Sequence, residues 1–457
     1  MAEQAVAAIA TPPGKGGIAC VRISGEGAHQ IGDRVFRARA KQKTIAEAAG
    51  YTALYGHFLR QGRVKDECIA LVFRGPKSYT GEDVVELSCH GGSAVAQELL
   101  NACIEAGALP AGPGEFTKRA FLNGRISLTQ AEAVMDLINA TSRQGAAAAS
   151  AALEGALYRR IRQKGIEPLT QVIGHLSAFT DFPDEVEEEL SPQEMEQLLR
   201  GVYEEMDALI SSYDAGTILR RGVETAIVGS PNVGKSTLLN LLSGYERAIV
   251  TPVPGTTRDI VEQSVSIGGI ELLLADTAGI RQTEDVVERE GIRRTYERME
   301  RAGLIIAVFD GSEDLTPENA ELAEHCAGRA ALAVVNKSDL PRRLAQEKIA
   351  PYFSKVISIS AKDPAFLQAV EQGVSDVLGI AQVDPDAGLL ANTRQLSAAR
   401  RAQEALADAL DALEQGFTLD AVGVCADDAL AALYELSGEN AAEAVVEEVF
   451  SKFCVGK

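Results

Sequence analysis

What the chain lacks narrows its identity first. Its seven cysteines, Cys20, Cys68, Cys89, Cys103, Cys326, Cys425 and Cys454, are odd in number, scattered, and never spaced C-x-x-C. That argues against a disulfide framework or a cysteine zinc site and fits a reducing compartment. No run approaches the roughly 18 apolar residues of a membrane span. The opening "MAEQAVAAIATPPGKGG" has no basic stretch followed by a continuous apolar one, so a soluble, cytoplasmic chain without a membrane partner is expected. Positive charge is also scarce. With 44 Lys and Arg against 65 Asp and Glu, the formal net charge is −21. The molecule as a whole repels polyanions, and any nucleic-acid contact has to come from a local basic patch or a partner protein.

What is present is ordinary globular material: 457 residues, 46% hydrophobic and 24% charged, enough for about three domains. Up to residue 118 the runs "GIACVRISG", "ECIALVFRG" and "DVVELSCHGG" read as strands closed by glycines, a compact α/β domain. From Ser127 the chain turns Ala-, Leu- and Glu-rich and helical, with Thr129 and Glu132 spaced as a capping box. The stretch "SPQE" predicts a helix capped by Ser191, with Pro192 at its first position and Glu194 at the third. Met195, Leu198, Leu199, Val202, Met206, Leu209 and Ile210 then share one face. The acidic run "DEVEEEL", residues 184–190, reads as a solvated linker or helix face, with a binding surface as the rarer alternative.

Between residues 222 and 378 strands and helices alternate: "ETAIVGS", the hairpin "SVSIGGIELLLAD" turning at Gly268 and Gly269, "LIIAVFD", "ALAVVNK" and "KVISIS". This predicts a doubly wound, mostly parallel sheet. Helical character returns in "RQLSAARRAQEALADALDALEQG". The economical organisation is one helical domain split in sequence (119–221 and 379–457), with the α/β domain of residues 222–378 inserted.

The chemistry lies in that insert. "GSPNVGKST", residues 229–237, satisfies G-x-x-x-x-G-K-[ST] between a strand and a helix. Such a loop wraps phosphates with the backbone of Asn232, Val233 and Gly234. Lys235 reaches the β and γ oxygens, and Ser236, followed by Thr237, ligates Mg²⁺. "DTAG", comprising Asp276, Thr277, Ala278 and Gly279, supplies a carboxylate behind the metal and an N–H for the γ-phosphate. "NKSD" carries Asn336, Lys337 and Asp339; the Asp339 carboxylate matches two donors on guanine that adenine lacks. "SAK", with Ser360 and Ala361, closes the base pocket. The nucleotide is therefore expected to be GTP.

In one respect the pattern departs from Ras-type hydrolases, which place a water-orienting glutamine directly after this motif. Here the next residue is Ile280, which cannot orient water. Acidic residues that could are Glu284, Asp285, Glu288 and Glu290, among which residue chemistry does not choose. "TPVPGTTRD", residues 251–259, stands where a switch loop belongs, with Thr257 as a second hydroxyl for Mg²⁺. Asn232 beside the phosphates, with carbonyls of that loop, could cage a monovalent cation in place of an arginine finger, a position worth roughly 10³ to 10⁵ in rate. A plain loop-stabilising role for Asn232 is the alternative.

Along its whole length the chain resembles the tRNA-modification GTPases called MnmE or TrmE. The resemblance runs from "ATPPGKGGIACVRISG" through "SYTGEDVVELSCHGG", "PGEFTKRAFLNGRISLTQAEAVMDLI" and "DFPDE" to the final "FCVGK". It implies an N-terminal α/β folate-binding and dimerisation domain (1–118), a discontinuous all-helical domain, and an inserted Ras-like P-loop G domain. It also implies a homodimer that works with an FAD-containing partner, MnmG or GidA, to add a carboxymethylaminomethyl-type group to C5 of the wobble uridine of tRNA.

Residue by residue, the resemblance assigns K⁺ to Asn232, Thr251, Val253 and Thr256, and Mg²⁺ to Ser236 and Thr257. It selects Glu288 as the water-orienting residue. A tetrahydrofolate one-carbon derivative, of 5-formyl or methylene type, falls to Arg22, Glu86, Arg125 and Lys457. The family often has lysine where Arg125 stands and usually ends F-C-I-G-K, so Val455 is an apolar departure. On residue chemistry alone Arg22 and Glu86 read as surface salt-bridge residues, "FCVGK" as a frayed tail, and His90 as structural or pocket-lining. Cys454 is open between nucleophile, proton donor and packing residue. The rival expectation is an RNA-binding ribosome-assembly GTPase of the Era or Der type. The acidic balance disfavours direct RNA gripping, and no KH-like or tandem G domain is legible.

Overall fold

The computed structural model describes residues 4–40, 43–181, 190–243, 263–274, 288–381, 383–439 and 443–457. By contacts the chain divides into two compact units, Met1–Met135 with Tyr434–Lys457, and Asp136–Leu433. Among the described residues, no helix is long and apolar enough to cross a membrane.

The first unit is built on a seven-stranded sheet of β1 (Val6–Ile9), β2 (Ile18–Ser24), β3 (Phe36–Ala38), β4 (Thr52–Arg60), β5 (Arg63–Phe73), β6 (Val84–His90) and β7 (Leu109–Pro110), ordered β3-β4-β5-β6-β2-β1-β7. Every pairing is antiparallel except β1 with β7. Val21 and Ile23 of β2 and Val85, Leu87 and Cys89 of β6 are buried under the helices Ala28–Val35 and Ser93–Glu105. Because side chains alternate across a strand, Cys20, Arg22, Glu86 and Ser88 lie on the other face. The β2/β6 register sets Arg22 directly opposite Glu86.

A smaller cluster in this unit joins Leu128 and Ala131 to Val446, Phe450 and Phe453. Its entry corrects one sequence expectation. The helix Leu128–Asn139 is capped two residues earlier than the Thr129/Glu132 spacing implies: Ser127 Oγ accepts from Gln130 N at 3.2 Å, and Gln130 Oε1 accepts from Ser127 N at 2.9 Å. Thr129 is itself helical and buried, its hydroxyl bonded to that of Ser127.

The second unit carries a six-stranded sheet of β8 (Val223–Val228), β9 (Gln263–Ile267), β10 (Ile270–Leu274), β11 (Leu304–Asp310), β12 (Ala331–Asn336) and β13 (Lys355–Ser358), ordered β13-β12-β11-β8-β10-β9. It is parallel but for the β9/β10 hairpin. β11 and β12 are buried along their whole length because one apolar cluster covers each face of the sheet. From β8 the chain next pairs on one side with β10 and on the other with β11. The C-terminal end of β8 is thus a topological switch point, where α/β sheets open a binding crevice.

The described residues of this unit also form helices. Ser191 and Glu194 form the expected reciprocal cap of the helix Pro192–Ser211, whose Met195, Leu199, Val202, Met206 and Leu209 are buried. It runs antiparallel to Thr393–Glu414, with Gln403 beside Asp207 and Arg200 beside Glu414. The Gly268–Gly269 turn between β9 and β10 is held by Gln144, whose Nε2 donates to Gly268 O at 3.0 Å and whose N–H donates to Gly269 O at 3.2 Å. Residues 184–189 of the acidic run lie outside the described residues.

Candidate functional site

At the end of β8 the sequence "GSPNVGKST" forms a loop that leads into the helix Lys235–Ser243. Asn232 has φ 62°, a left-handed conformation in which asparagine is enriched, and both Asn232 and Ser236 are exposed. Gly234 has φ +102°, and a Cβ there would lie 2.1 Å from Asn336 Nδ2. The glycine is what lets the loop touch the end of β12. Lys235 curls back, its Nζ donating to Gly229 O at 2.7 Å and Ser230 O at 2.8 Å. Burial holds its ammonium below the ordinary lysine value. A largely desolvated cation held, among the described residues, by two carbonyls attracts an anion strongly.

Asn336 joins the motifs. Its Nδ2 donates to Val233 O at 2.8 Å, and its Oδ1 accepts from Ala361 N at 2.9 Å. One buried side-chain amide therefore fastens the phosphate loop, the N-K-S-D loop and the S-A-K segment together. Asp339 stays exposed, with the Ser360 hydroxyl keeping its carboxyl below the usual range. Two residues not singled out from sequence complete the frame. Ser230 Oγ donates to Asn319 Oδ1 at 2.6 Å, and Lys337 Nζ lies 2.5 Å from Asp310 Oδ2. The signal for Asp310 was a single acid ending the otherwise apolar strand "LIIAVFD".

Thr251, Val253, Thr256, Thr257, Asp276, Thr277, Ala278 and Gly279 lie outside the described residues, as do Glu284 and Asp285. Glu288 opens the helix Glu288–Arg301; its side chain and that of Glu290 lie outside the description.

A second constellation sits on the open face of the first sheet. Arg22 and Glu86 are 2.8 Å apart and only 16% and 21% exposed. The Arg22 guanidinium centre stands 5.4 Å from the Tyr79 ring and 5.3 Å from the Phe116 ring, within cation–π range of both. Phe116 is fully buried, which contributes roughly 1.5–3 kcal/mol. The loop carrying Tyr79 is tied down from several sides: Tyr79 shares a hydrogen bond with Thr117, Ser24 Oγ donates to Glu82 Oε2 at 2.8 Å, and Arg119 Nη1 donates to the same oxygen at 3.1 Å. Tyr79 and Phe116 escaped the sequence reading because nothing in their spacing ties them to residue 22.

The final segment is docked on this site. Val455 bridges to Pro113, Gly114 N donates to Cys454 O at 3.3 Å, and Phe116 N donates to Lys457 O at 3.1 Å. Gly456 has φ +99°, and a Cβ there would meet Ile9 O at 2.1 Å, so only glycine lets the segment lie so close to β1. Phe453 is buried, while Cys454 is exposed. Phe116 thus connects the backbone of Lys457 to the Arg22 guanidinium. Exposed Arg125 packs its stem near Gly81, beyond Tyr79. Cys20, two residues from Arg22, has its thiol pushed up to about 11 by burial and by Glu86, which makes it an inert neighbour at neutral pH.

Known families and proteins match the chain over nearly its whole length. The family described as "MnmE helical domain" matches residues 128–454, and "GTP-binding protein TrmE N-terminus" matches residues 5–125. The chain is 43% identical over 467 residues to the tRNA modification GTPase MnmE of Symbiobacterium thermophilum, covering 100% of both. To that of Geobacillus kaustophilus it is 40% identical over 459 residues, covering 99% of each. Among solved structures, the FeoB G-domain from Methanococcus jannaschii is 23% identical with a TM-score of 0.24, covering 34% of this chain and 98% of that one.

Proposed function

The chain belongs to the MnmE family of tRNA modification GTPases, and from that premise we propose a K⁺-stimulated GTPase that acts with an FAD-containing partner on C5 of the wobble uridine of tRNA. The product is a carboxymethylaminomethyl-type group, the setting the cytoplasm, and the working form a homodimer joined to the MnmG-type partner, with the G domains of two protomers pairing when GTP is bound. The domain division is 1–118, 119–221, 222–378 and 379–457.

The observation that carries this reading is the Asn336 bracket. It holds a lysine-bearing phosphate loop and an N-K-S-D base loop in one frame at the switch point of a parallel sheet. The residues fit a magnesium nucleotide: Lys235 lacks an anionic partner among the described residues, and Ser236 is exposed at the first turn of its helix. In the proposed site Lys235 binds the β and γ oxygens, Ser236 and Thr257 hold Mg²⁺, and Asp276, Thr277, Ala278 and Gly279 line the phosphate. Asp339 with Ser360 and Ala361 selects guanine. Asn232, whose left-handed backbone leaves its amide exposed at the loop, joins Thr251, Val253 and Thr256 in holding K⁺. That ion supplies the positive charge that an arginine finger supplies elsewhere. Glu288 orients the attacking water, the task Ile280 cannot perform.

The Arg22 constellation fits a ligand with carboxylates and an aromatic ring. Arg22 is already neutralised by Glu86, so Lys457 and Arg125 leave a surplus of positive charge, and Tyr79 offers a ring face. A tetrahydrofolate one-carbon derivative has that chemistry and would supply the carbon unit, with exposed Cys454 beside it as a catalytic candidate.

The test is GTP turnover of the full chain in K⁺ and in Na⁺, for wild type and for Asn232→Ala. The expectation is stimulation by K⁺ in the wild type alone, and equal rates throughout would sink the cation role. Glu288→Ala is expected to abolish turnover with GTP affinity nearly intact; normal hydrolysis would remove Glu288 from the mechanism.

A further inference from the structure

Asp310 has no place in the motifs above, yet it is buried at the end of β11 and both of its carboxylate oxygens are used. Oδ2 lies 2.5 Å from Lys337 Nζ, while Oδ1 accepts from Ser312 N at 2.9 Å and from Ser312 Oγ at 2.6 Å. Burial alone would raise this carboxyl, but the bonds from Lys337 and Ser312 outweigh it and hold it below its ordinary value. The β11/β12 register sets Asp310 opposite Asn336, and Gly311 N donates to Asn336 O at 2.8 Å. The acid is therefore built into the strand end from which the N-K-S-D loop departs. Lys337 has φ 63°, a left-handed conformation that costs a lysine free energy and persists only where the surroundings hold it. Beyond its backbone neighbours, what holds the far end of this side chain is the Asp310 carboxylate.

We propose that Asp310 is a positioning residue for guanine-nucleotide binding: it clamps the Lys337 ammonium before the nucleotide arrives, so that the lysine stem stands as a preset wall of the base pocket. The proposal rests on the assignment of the N-K-S-D loop to the base and adds to it the group that fixes the loop's cation. Lysine carries one of the largest rotamer entropies of any side chain, and a ligand meeting a free lysine must order it at the moment of binding. A preset one spares that loss, equally in the ground state and the transition state. The effect therefore falls on KM and Kd, not on kcat.

The experiment titrates fluorescent mant-GDP and measures GTP kinetics for the full-length wild type, Asp310→Asn, Lys337→Ala and the double variant. Asp310→Asn is expected to raise the GDP Kd and the GTP KM about tenfold with kcat unchanged. Lys337→Ala should lose at least as much, and the double variant no more than Lys337→Ala, because two residues acting through one contact do not add. An unchanged Kd in Asp310→Asn, or additive losses in the double variant, overturns the inference and leaves the base-site reading standing. An unchanged Kd in Lys337→Ala overturns that reading and the inference with it. Should circular dichroism show Asp310→Asn unfolded, Ser312→Ala keeps the charge and removes one anchor. It is then expected to raise KM about two- to threefold, and no change there is equally fatal.

Discussion

The phosphate loop after β8 and the Arg22–Glu86 pair on the first sheet reach comparable order by different routes. In the loop, one contiguous run of nine residues, 229–237, carries the functional groups, and two distant side-chain amides, Asn336 on Val233 and Asn319 on Ser230, clamp it. Around Arg22, the partners come from positions 79, 86 and 116, and the docked segment adds residue 457. Backbone recognition of phosphate needs glycines at set spacings, so it writes itself into local sequence. Recognition by side chains on an antiparallel sheet needs only register, which leaves no local mark.

Breaking the comparison at its strongest point means Gly234→Ala. The new methyl would occupy the place of Asn336 Nδ2, and the clamp cannot yield without releasing Val233 or Ala361. Nucleotide binding is expected to fall by at least two orders of magnitude, read by mant-GDP titration. An affinity within threefold of wild type would show that the bracket is incidental.

The next largest effect concerns the other region. Deleting residues 454–457 removes the Val455 bridge and the Lys457 carbonyl that receives Phe116 N–H. Calorimetry with 5-formyltetrahydrofolate should then show no binding, while mant-GDP affinity is kept. Retained folate affinity would return the segment to a mere tail. Arg22→Lys sharpens the same site more gently. It keeps the charge but loses the planar group set between Tyr79 and Phe116, so folate affinity should drop about tenfold. An unchanged affinity would mean that charge alone is read there.

The smallest effect tests a pair on the same sheet that neither site uses. His90 Nδ1 lies 2.7 Å from Asp66 Oδ1, and the hydrogen bond to Asp66 raises the imidazole's affinity for its proton. In Asp66, burial pushes the carboxyl up, but hydrogen bonds from the His90 backbone and ring outweigh it, and the net shift is down. A raised histidine stabilises fully below its unfolded value and loses that contribution as pH rises through its folded value. A lowered carboxylate stabilises above its unfolded value and loses it as pH falls through its folded one. The pair therefore works between about pH 4 and 6.5. The melting difference between wild type and His90→Ala should be about a degree there and fade as pH rises through the folded value of the imidazole. A gap that grows toward alkaline pH would reverse the assignment.

Much of the fold was legible because its elements obey local rules. The continuous apolar runs of β11 and β12 announce strands covered on both faces, and Ser191-Pro192 with Glu194 announces a helix start whose reciprocal hydrogen bonds are observed. The Thr129/Glu132 spacing misled because Ser127 and Gln130 offer the same chemistry two residues earlier, and packing of Leu128 and Thr129 in the core decides between them. In the candidate sites, Lys235, Asn336 and Asp339 were legible from motif spacing. Tyr79, Phe116, Asn319 and Asp310 were not, since each acts through a partner distant in sequence.

The sequence by itself determined the phosphate loop, the base loop and the alternating architecture that carries them, because backbone conformation there follows from residue type within a few positions. Only the tertiary structure decided that Arg22 faces Glu86 between two aromatic rings, that the last residues dock beside them, and that Asp310 holds Lys337. Each of those depends on strand register or chain return, and the free energy that selects them comes from burial elsewhere in the core.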